Sequence, residues 1–385
     1  MTKLEQLIND LCPDGVKYKS LNECVDIMRG TRVVKNNLSE DGKYPVYQNS
    51  LTPMGYHIES NASKDTTFII VAGAAGEIGY STVDFWAADD CFCLKCHQEI
   101  TSRFLYHLLL QQQSYIYSKV RKASIPRLSR TVVEKITIPV PPLPVQEEIV
   151  RILDHFTELE AELEAELVAR RKQYEHYRDV LLSFDMNGGG TANCEWKTIK
   201  LGDVGKISMC KRIMKSETSA NGDVPFYKIG TFGGEPNAYI SRATFEKYKS
   251  LYSFPKKGDI LISAAGTIGR AVVYNGEPAY YQDSNIVWID NDETMVLNRY
   301  LYYVYQLSPW QISTGGTIAR LYNDNIANAK INIPPLQEQE HIVSILDRFD
   351  ALCNDITQGL PAEIDARRKQ YEYYRDKLLT FQPFA

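Results

Sequence analysis

The chain has 385 residues, 24% of them charged, and a net charge of −5. This length exceeds one compact core, so two or more domains are expected and a single small module is excluded. The mean hydropathy of −0.31 and the lack of a long apolar run argue against membrane-spanning helices. Glu5 and Asp10 interrupt the N-terminal stretch where a secretory signal needs apolar residues, which predicts a cytoplasmic protein with reduced cysteines.

The average charge hides a partition along the chain. Residues 1–144 carry 16 basic and 15 acidic side chains, and residues 185–335 carry 16 and 14. Residues 145–184 are acidic, with 5 basic and 10 acidic side chains. Residues 336–385 are acidic too, with 6 basic and 9 acidic side chains. Two slightly basic segments therefore alternate with two acidic ones, an arrangement that permits a polyanionic partner.

Taken in chain order, the predicted elements describe a mixed α/β fold. An apolar stretch led by lysines opens each basic segment, a β-branched run bounded by Gly or Pro follows, and a helix comes after it. In the first segment these are Lys17–Leu21, Thr67–Ala72 and Arg103–Tyr117. In the second they are Lys197–Leu201, Asp259–Ser263 and Arg299–Leu307.

The chain is an internal duplication. Ala169–Phe184 and Ala366–Phe381 are identical at thirteen of sixteen positions, and Ile152–Phe156 returns as Ile345–Phe349. Fainter echoes keep the same order upstream: Ala74–Gly79 aligns with Ala264–Gly269, and Ile125–Leu128 with Ile318–Leu321. Each copy is therefore a variable domain followed by a well-matched acidic segment.

Apolar residues recur every three or four positions in both acidic segments, which predicts two long amphipathic helices that pair antiparallel. The first helix is predicted over Val145–Phe184, about 60 Å at 1.5 Å per residue. It contains a four-residue repeat at Thr157–Leu167 that inserts a stutter into the heptads. Gly359 and Pro361 predict a kink or a brief break in the second helix.

The sequence contains no catalytic motif together with the neighbouring residues that such a motif requires. Gly73–Gly79 lacks the spacing of a phosphate loop or a dinucleotide fold and indicates a tight glycine turn. Cys91, Cys93, Cys96 and His97 resemble half of a zinc site. The second copy has no Cys or His in the aligned Ser284–Trp288 stretch, so buried strand cysteines are favoured and neither metal nor cofactor is predicted.

Exposed cations supply a diffuse, repeated signal for nucleic-acid binding. Lysine and arginine position a protein on phosphates, and arginine also reaches base edges, although a solvated loop explains any one such run equally well. The candidate DNA-binding residues are Lys119, Arg121, Lys122, Arg127, Arg130, Lys206, Lys211, Arg212, Lys215, Arg270 and Arg320.

Taken together, the Pro-Pro-Leu helix starts, the Ile-Leu-Asp-x-Phe blocks and the Arg-Arg-Lys-Gln-Tyr-Glu blocks resemble the DNA specificity subunit of type I restriction-modification systems over the whole chain. The resemblance implies a non-catalytic subunit whose two target recognition domains, 1–143 and 185–335, each read one half of a bipartite, asymmetric site in double-stranded DNA. It also implies that the conserved helices 144–184 and 336–385 act as a ruler. The repeat at Thr157–Leu167 resembles the element that sets the gap between half-sites.

The same resemblance implies partners. Two methyltransferase subunits that use S-adenosylmethionine would dock on the paired helices, and motor-nuclease subunits would join that core. Apolar residues off the predicted pairing stripe suggest a second helix face for a partner, unless the variable domains cover it. These residues are Val150, Leu153, Val168, Leu182, Val343, Leu346 and Leu379.

Two other classes of function share part of this pattern. A coiled-coil scaffold with two modules for ligands other than DNA would show the same periodicity, and DNA retention that falls steeply with salt would argue against it. A self-contained methylating or cleaving enzyme lacks its motifs here, and methyl transfer by the purified chain alone would establish it.

Overall fold

A computed structural model describes residues 2–183, 195–311 and 320–384. The helices are α1 Lys3–Leu11, α2 Leu21–Cys24, α3 Ser102–Gln111, α4 Gln113–Ser118, α5 Arg130–Glu134, α6 Leu143–Leu182, α7 Arg242–Leu251, α8 Asn298–Gln306, α9 Asn323–Ala327, α10 Leu336–Asn354 and α11 Leu360–Leu378. Short 3-10 turns lie at Lys35–Asn37, Leu201–Asp203 and Lys215–Glu217. Within these residues, no helix combines the length and apolarity needed to cross a membrane.

The strands of the first copy are β1 Tyr18–Ser20, β2 Val25–Arg29, β3 Tyr44–Tyr47, β4 Tyr56–His57, β5 Thr66–Ile70, β6 Ile78–Ser81, β7 Trp86–Ala87, β8 Cys91–Cys96 and β9 Thr137–Pro139. Those of the second copy are β10 Lys197–Lys200, β11 Gly205–Met209, β12 Val224–Tyr227, β13 Tyr239–Ile240, β14 Ile260–Ser263, β15 Ala271–Val273, β16 Tyr280–Tyr281, β17 Ile286–Asn291 and β18 Lys330–Ile333. The mixed α/β class predicted from the sequence is confirmed.

The chain divides into two compact units, and each takes residues from both copies. Unit 1 comprises Met1–Ala165 and Ala362–Ala385, and unit 2 comprises Glu166–Pro361. Helix α6 therefore contributes its first half to unit 1 and its second half to unit 2. Each unit holds one variable domain and a pair of helices.

The variable domains repeat one topology. Unit 1 has the four-stranded antiparallel sheet β2-β8-β5-β6, the three-stranded sheet β4-β3-β7 and the pair β1-β9. Unit 2 has β11-β17-β14-β15, β13-β12-β16 and β10-β18 in the corresponding places. In both three-stranded sheets one pair is parallel, β3 with β7 and β12 with β16. The central strands β5 and β14 are almost wholly buried, as their β-branched runs predict.

Within each unit the long helices pair antiparallel, as predicted. In unit 1 the rings of Phe156 and Tyr374 stack with centroids 5.3 Å apart, and further along the same pair Arg368 Nε lies 2.8 Å from Glu160 Oε1. In unit 2 the matching rings of Phe349 and Tyr177 stack at 5.5 Å. Both units therefore use the same Phe and Tyr positions of the duplicated helices.

Two predicted helices are interrupted. The helix predicted over Arg103–Tyr117 is two helices, because Gln112 leaves the helical region at φ −90° and ψ 8°. The predicted break at Gly359 is confirmed, since α10 ends at Asn354 and α11 begins at Leu360. A Cβ on Gly359 would lie 2.5 Å from the Ala351 carbonyl oxygen, so glycine is required for this close approach. Phe184, the predicted end of the first helix, lies outside the described residues.

One carboxylate of each Ile-Leu-Asp block fastens the variable domain to the helices. In unit 1 Asp154 accepts hydrogen bonds from Arg103 and His107 of α3, each at 2.8 Å. The other ring nitrogen of His107 lies 3.0 Å from the Tyr371 hydroxyl of α11. Burial lowers the pKa of His107, so the ring is neutral at pH 7. It therefore links Asp154 of α6 to Tyr371 of α11 without adding a buried positive charge.

Unit 2 uses the same arrangement with one substitution. Asp347 of α10 accepts hydrogen bonds from Arg299, at 2.6 Å, and from the Tyr303 hydroxyl. Arg299 also reaches Asp350 at 3.2 Å. Tyrosine thus replaces histidine at the second contact, while the Arg–Asp pair is kept in both units.

Candidate nucleic-acid interface

In unit 1 three loops meet at one end of the four-stranded sheet. Strand β2 ends beside the start of β8, where the Gly30 amide donates to the Cys91 carbonyl at 3.0 Å. Strand β5 ends at the same level, because Ile70 pairs with Cys91. We call residues 30–35, 71–76 and 119–128 the loop end of unit 1.

The predicted tight glycine turn forms part of this loop end. Gly73 and Gly76 have φ of +77° and +95°, a region that favours glycine. The Gly76 amide donates to the Ile70 carbonyl at 2.8 Å. A Cβ on Gly76 would lie 2.7 Å from the Tyr117 ring, so the turn packs directly on the end of α4.

Unit 2 has the same turn, and it corrects the alignment made from sequence. Gly266 and Gly269 have φ of +67° and +82°, and the Gly269 amide donates to the Ser263 carbonyl at 2.9 Å. These bonds match Gly73 with Gly266 and Gly76 with Gly269. Ala264–Gly269 therefore corresponds to 71–76 and not to Ala74–Gly79, because the strand pairing decides the register and the two Ala-Ala-Gly runs do not.

The basic run of the first copy forms a hairpin on this turn. Arg121 and Arg127 exchange main-chain hydrogen bonds of 2.8 and 3.2 Å, and the Leu128 amide donates to the Val71 carbonyl at 2.9 Å. Four predicted cations of this run lie exposed in or beside the hairpin: Lys119, Arg121, Lys122 and Arg127. Arg130 instead begins α5, where its guanidinium pairs with Glu134 at 2.8 Å.

In unit 2 the equivalent segment docks in the same way and gathers two predicted arginines. The Leu321 amide donates to the Ala264 carbonyl at 2.8 Å. The Arg320 guanidinium donates to the Ser284 carbonyl at 2.8 Å, and Arg212 Nε lies 4.0 Å from the adjacent Asp283 carboxylate. We call residues 210–215, 264–269 and 320–321 the loop end of unit 2; Ile318 and Ala319 of the sequence repeat lie outside the described residues.

Two predicted DNA-binding residues of unit 2 do not add a free cation to this loop end. Lys206 lies near the start of β11, opposite Asp290, whereas the loop end follows the last residue of that strand. The Arg270 guanidinium is held by the Phe232 carbonyl at 2.7 Å. An extended strand therefore separates Lys206 from Lys211 and Arg212, and the DNA-binding role of Lys206 stays a prediction.

Sequence reasoning missed two cations of unit 1. Arg32 and Lys35 are exposed and follow β2 as Arg212 and Lys215 follow β11. In both units the lysine opens a 3-10 turn. The sequence does contain the signal as a repeated Arg-x-x-Lys. Two matching residues are too few to be recognised until the sheet topology shows that β2 and β11 are equivalent strands.

The three cysteines of the predicted half-site lie in β8, where Cys96 is half-buried, and His97 follows the strand with its side chain exposed. Cys91 and Cys93 are buried, and the Cys91 thiol donates to the Tyr47 carbonyl at 3.2 Å. Burial raises the pKa of Cys93 and of Cys96 to about 12, which favours thiols over metal-binding thiolates. Across the part of the chain that the structure describes, no three His, Cys, Asp or Glu side chains are grouped to hold a metal ion.

The predicted partner-binding face of the helices is largely occupied by the units themselves. Leu153 and Leu379 are buried in the core of unit 1, and Leu182 and Leu346 in the core of unit 2. The prediction is wrong for these four, because the variable domains cover the helix face that periodicity left unassigned. Val150 and Val343 are partly buried against the same cores. Val168, 55% exposed, remains a prediction.

The comparisons with known proteins agree with this duplicated architecture. The family model described as "Type I restriction modification DNA specificity domain" matches residues 13–169 and again residues 193–366. The chain therefore belongs to the type I restriction-modification DNA specificity family.

Among its relatives is a type I restriction enzyme specificity subunit of Haemophilus influenzae, 47% identical over 99% of this chain and 98% of the relative. The EcoR124I/EcoR124II specificity subunit of Escherichia coli is 36% identical over 64% of this chain and 63% of its own length. The fold is that of the S subunit of a type I system from M. genitalium, with a TM-score of 0.61, 17% identity and coverage of 95% and 96%.

Proposed function

We propose that this chain is the DNA-reading subunit of a type I restriction-modification complex and that it recognises a bipartite, asymmetric site. The observation that carries the proposal is the duplication itself. Two variable domains share one topology and one mode of attachment to the helices, through Asp154 and Asp347. Their loop ends differ in sequence, and two unlike readers suit two unlike half-sites.

The recognition domains of this proposal are residues 1–143 and 185–335, and the conserved helices are 144–184 and 336–385. The loop ends supply the DNA contacts, since they present exposed arginine and lysine beside glycine turns that let the backbone approach a ligand closely. Arg121 and Arg127, both exposed in the hairpin of unit 1, are the candidates to reach base edges.

Two methyltransferase subunits dock on the chain in this proposal, and motor-nuclease subunits join the assembly. The nearly identical helix blocks support two equivalent docking places, because the same exposed positions recur in both. Methyl transfer from S-adenosylmethionine belongs to those partners, and this chain contributes no catalytic residue. Because the proposed complex acts on DNA, we expect it to be cytoplasmic.

Domain exchange tests the proposal. Replacing residues 1–143 with the first domain of another family member should change one half of the methylated site and leave the other half intact. Methylome sequencing of a strain that expresses the hybrid with its methyltransferase reports both halves. A change in both halves, or methylation without a bipartite site, would contradict the proposal.

A further inference from the structure

The Arg-x-x-Lys segments of the two loop ends share a conformation although most of their residues differ. The first reads Thr-Arg-Val-Val-Lys-Asn-Asn from Thr31, and the second reads Lys-Arg-Ile-Met-Lys-Ser-Glu from Lys211. Each leaves the end of an edge strand of the four-stranded sheet and closes with a 3-10 turn that begins at the lysine. Only the arginine and the lysine are common to both.

An aromatic side chain pins each segment just before its arginine. The Trp86 indole nitrogen donates to the Thr31 carbonyl at 3.0 Å, and the Tyr280 hydroxyl donates to the Lys211 carbonyl at 2.9 Å. Trp86 and Tyr280 occupy equivalent places, since each opens the short strand that runs parallel to β3 or β12. The same anchor is thus built from different residues, which indicates that the position of the following cations matters.

The residue after each arginine orients the segment. Val33 is 7% exposed and forms a buried cluster with Val46 and Ala88. Ile213 is 9% exposed and belongs to the buried cluster that contains Phe226. With this side chain turned inward, the arginine and lysine on either side of it are exposed to solvent. The Arg212 side chain keeps 75% of its surface exposed even with Asp283 at 4.0 Å.

We propose that Arg32 with Lys35, and Arg212 with Lys215, form one phosphate clamp in each unit that holds the DNA backbone without reading its sequence. This inference rests on the proposed function. Two readers of different bases share the phosphodiester backbone as a common ligand, so residues kept at equivalent positions in divergent loop ends suit that ligand. The planar arginine fork and the lysine point charge are both phosphate-binding groups.

The test uses the full chain in complex with its methyltransferase. Binding is measured over a series of salt concentrations to a duplex carrying the site read from the wild-type methylome, and to a scrambled duplex of the same length. The clamp variant is Arg32→Gln with Lys35→Gln. The matched control is Lys64→Gln with Lys95→Gln, which removes two exposed lysines from the opposite end of the same sheet.

The clamp variant should bind both duplexes more weakly by the same factor. The slope of log K against log salt should become less steep by up to about 1.8, since each lost phosphate contact contributes about 0.9. The methylated sequence should stay unchanged, and Arg212→Gln with Lys215→Gln should behave alike. Arg32→Lys with Lys35→Arg keeps both charges and should keep the slope.

Altered bases in the first half-site would overturn the clamp and make these residues base readers. A slope and affinity equal to those of the control would also overturn it, because no phosphate contact would have been lost. Failure of the proposed function looks different: the wild-type complex itself would then bind the specific and scrambled duplexes equally at every salt concentration.

Discussion

Gln146 and Gln339 tie the start of each long helix to its variable domain. Gln146 is fully buried, and its amide donates to the carbonyls of Pro141 and Glu99 at 2.7 and 2.8 Å while its oxygen accepts from the Thr101 amide at 2.9 Å. Gln339 makes the same three bonds, each at 2.9 Å, to main-chain groups of Pro334, Met295 and Leu297.

Replacing Gln146 with alanine should lower the free energy of unfolding of unit 1 by about 2–4 kcal/mol. The Pro141 carbonyl would lose its partner in a buried place, where an unpaired group costs about 1–3 kcal/mol, while the Glu99 carbonyl and the Thr101 amide are only partly buried and add less. Urea denaturation of the full chain reports the loss. Gln6→Ala, on the exposed face of α1, is the control and should change stability by no more than about 0.5 kcal/mol. Equal effects of the two substitutions would contradict this role.

At the scale of elements, the duplicated helices bury equivalent leucines. Leu153 and Leu346 follow the isoleucine of each Ile-Leu-Asp block and are fully buried in their own units. Their neighbours Asp154 and Asp347 hold the variable domains through Arg103 and Arg299. The Ile-Leu-Asp block is therefore a domain attachment site on each helix pair.

Leu346→Ala should lower the stability of unit 2 by about 2–5 kcal/mol, the usual cost of a cavity in a packed core. Val168→Ser, on the exposed surface of α6, should leave the unfolding midpoint unchanged and weaken the complex with the methyltransferase. Thermal unfolding and co-purification measure the two effects separately. If the Leu346→Ala protein has normal stability but no longer binds the methyltransferase, the partner-binding role first predicted for Leu346 would be correct after all.

Sequence periodicity predicted the long helices well and the shorter one less well. Helix α6 runs from Leu143 to Leu182, close to the predicted bounds, because its apolar repeat is long and regular. The interruption at Gln112 lies in a run of three glutamines with no Gly or Pro. Apolar residues continue on both sides of it, so no local signal marked the break.

At the scale of the whole molecule, α6 is one continuous helix to which both units contribute packing residues. In unit 1 it pairs with α11, and in unit 2 with α10. The residues between α10 and α11 are not helical, whereas α6 has no such break. Within Leu143–Leu182 there is thus no non-helical segment that could take up an insertion or deletion.

Deleting Ala161–Glu164 should shorten α6 by about 6 Å and rotate one end by about 40°, the rise and the excess turn of four helical residues. The preferred gap between half-sites should then fall by about two base pairs, at roughly 3.4 Å each. Methylome sequencing of a strain expressing the deletion measures the gap. An unchanged gap would show that the repeat does not set it.

The sequence by itself determined the duplication, the mixed α/β class and the antiparallel helices, because both copies of the repeated blocks carry the same apolar stripe and each stripe needs a partner to bury it. Only the tertiary structure decided which cations meet at each loop end and which helix leucines are covered. Residues 30–35, 71–76 and 119–128 are brought together by strand pairing across about ninety positions. A helix with apolar residues on two faces does not reveal which neighbour will cover the second.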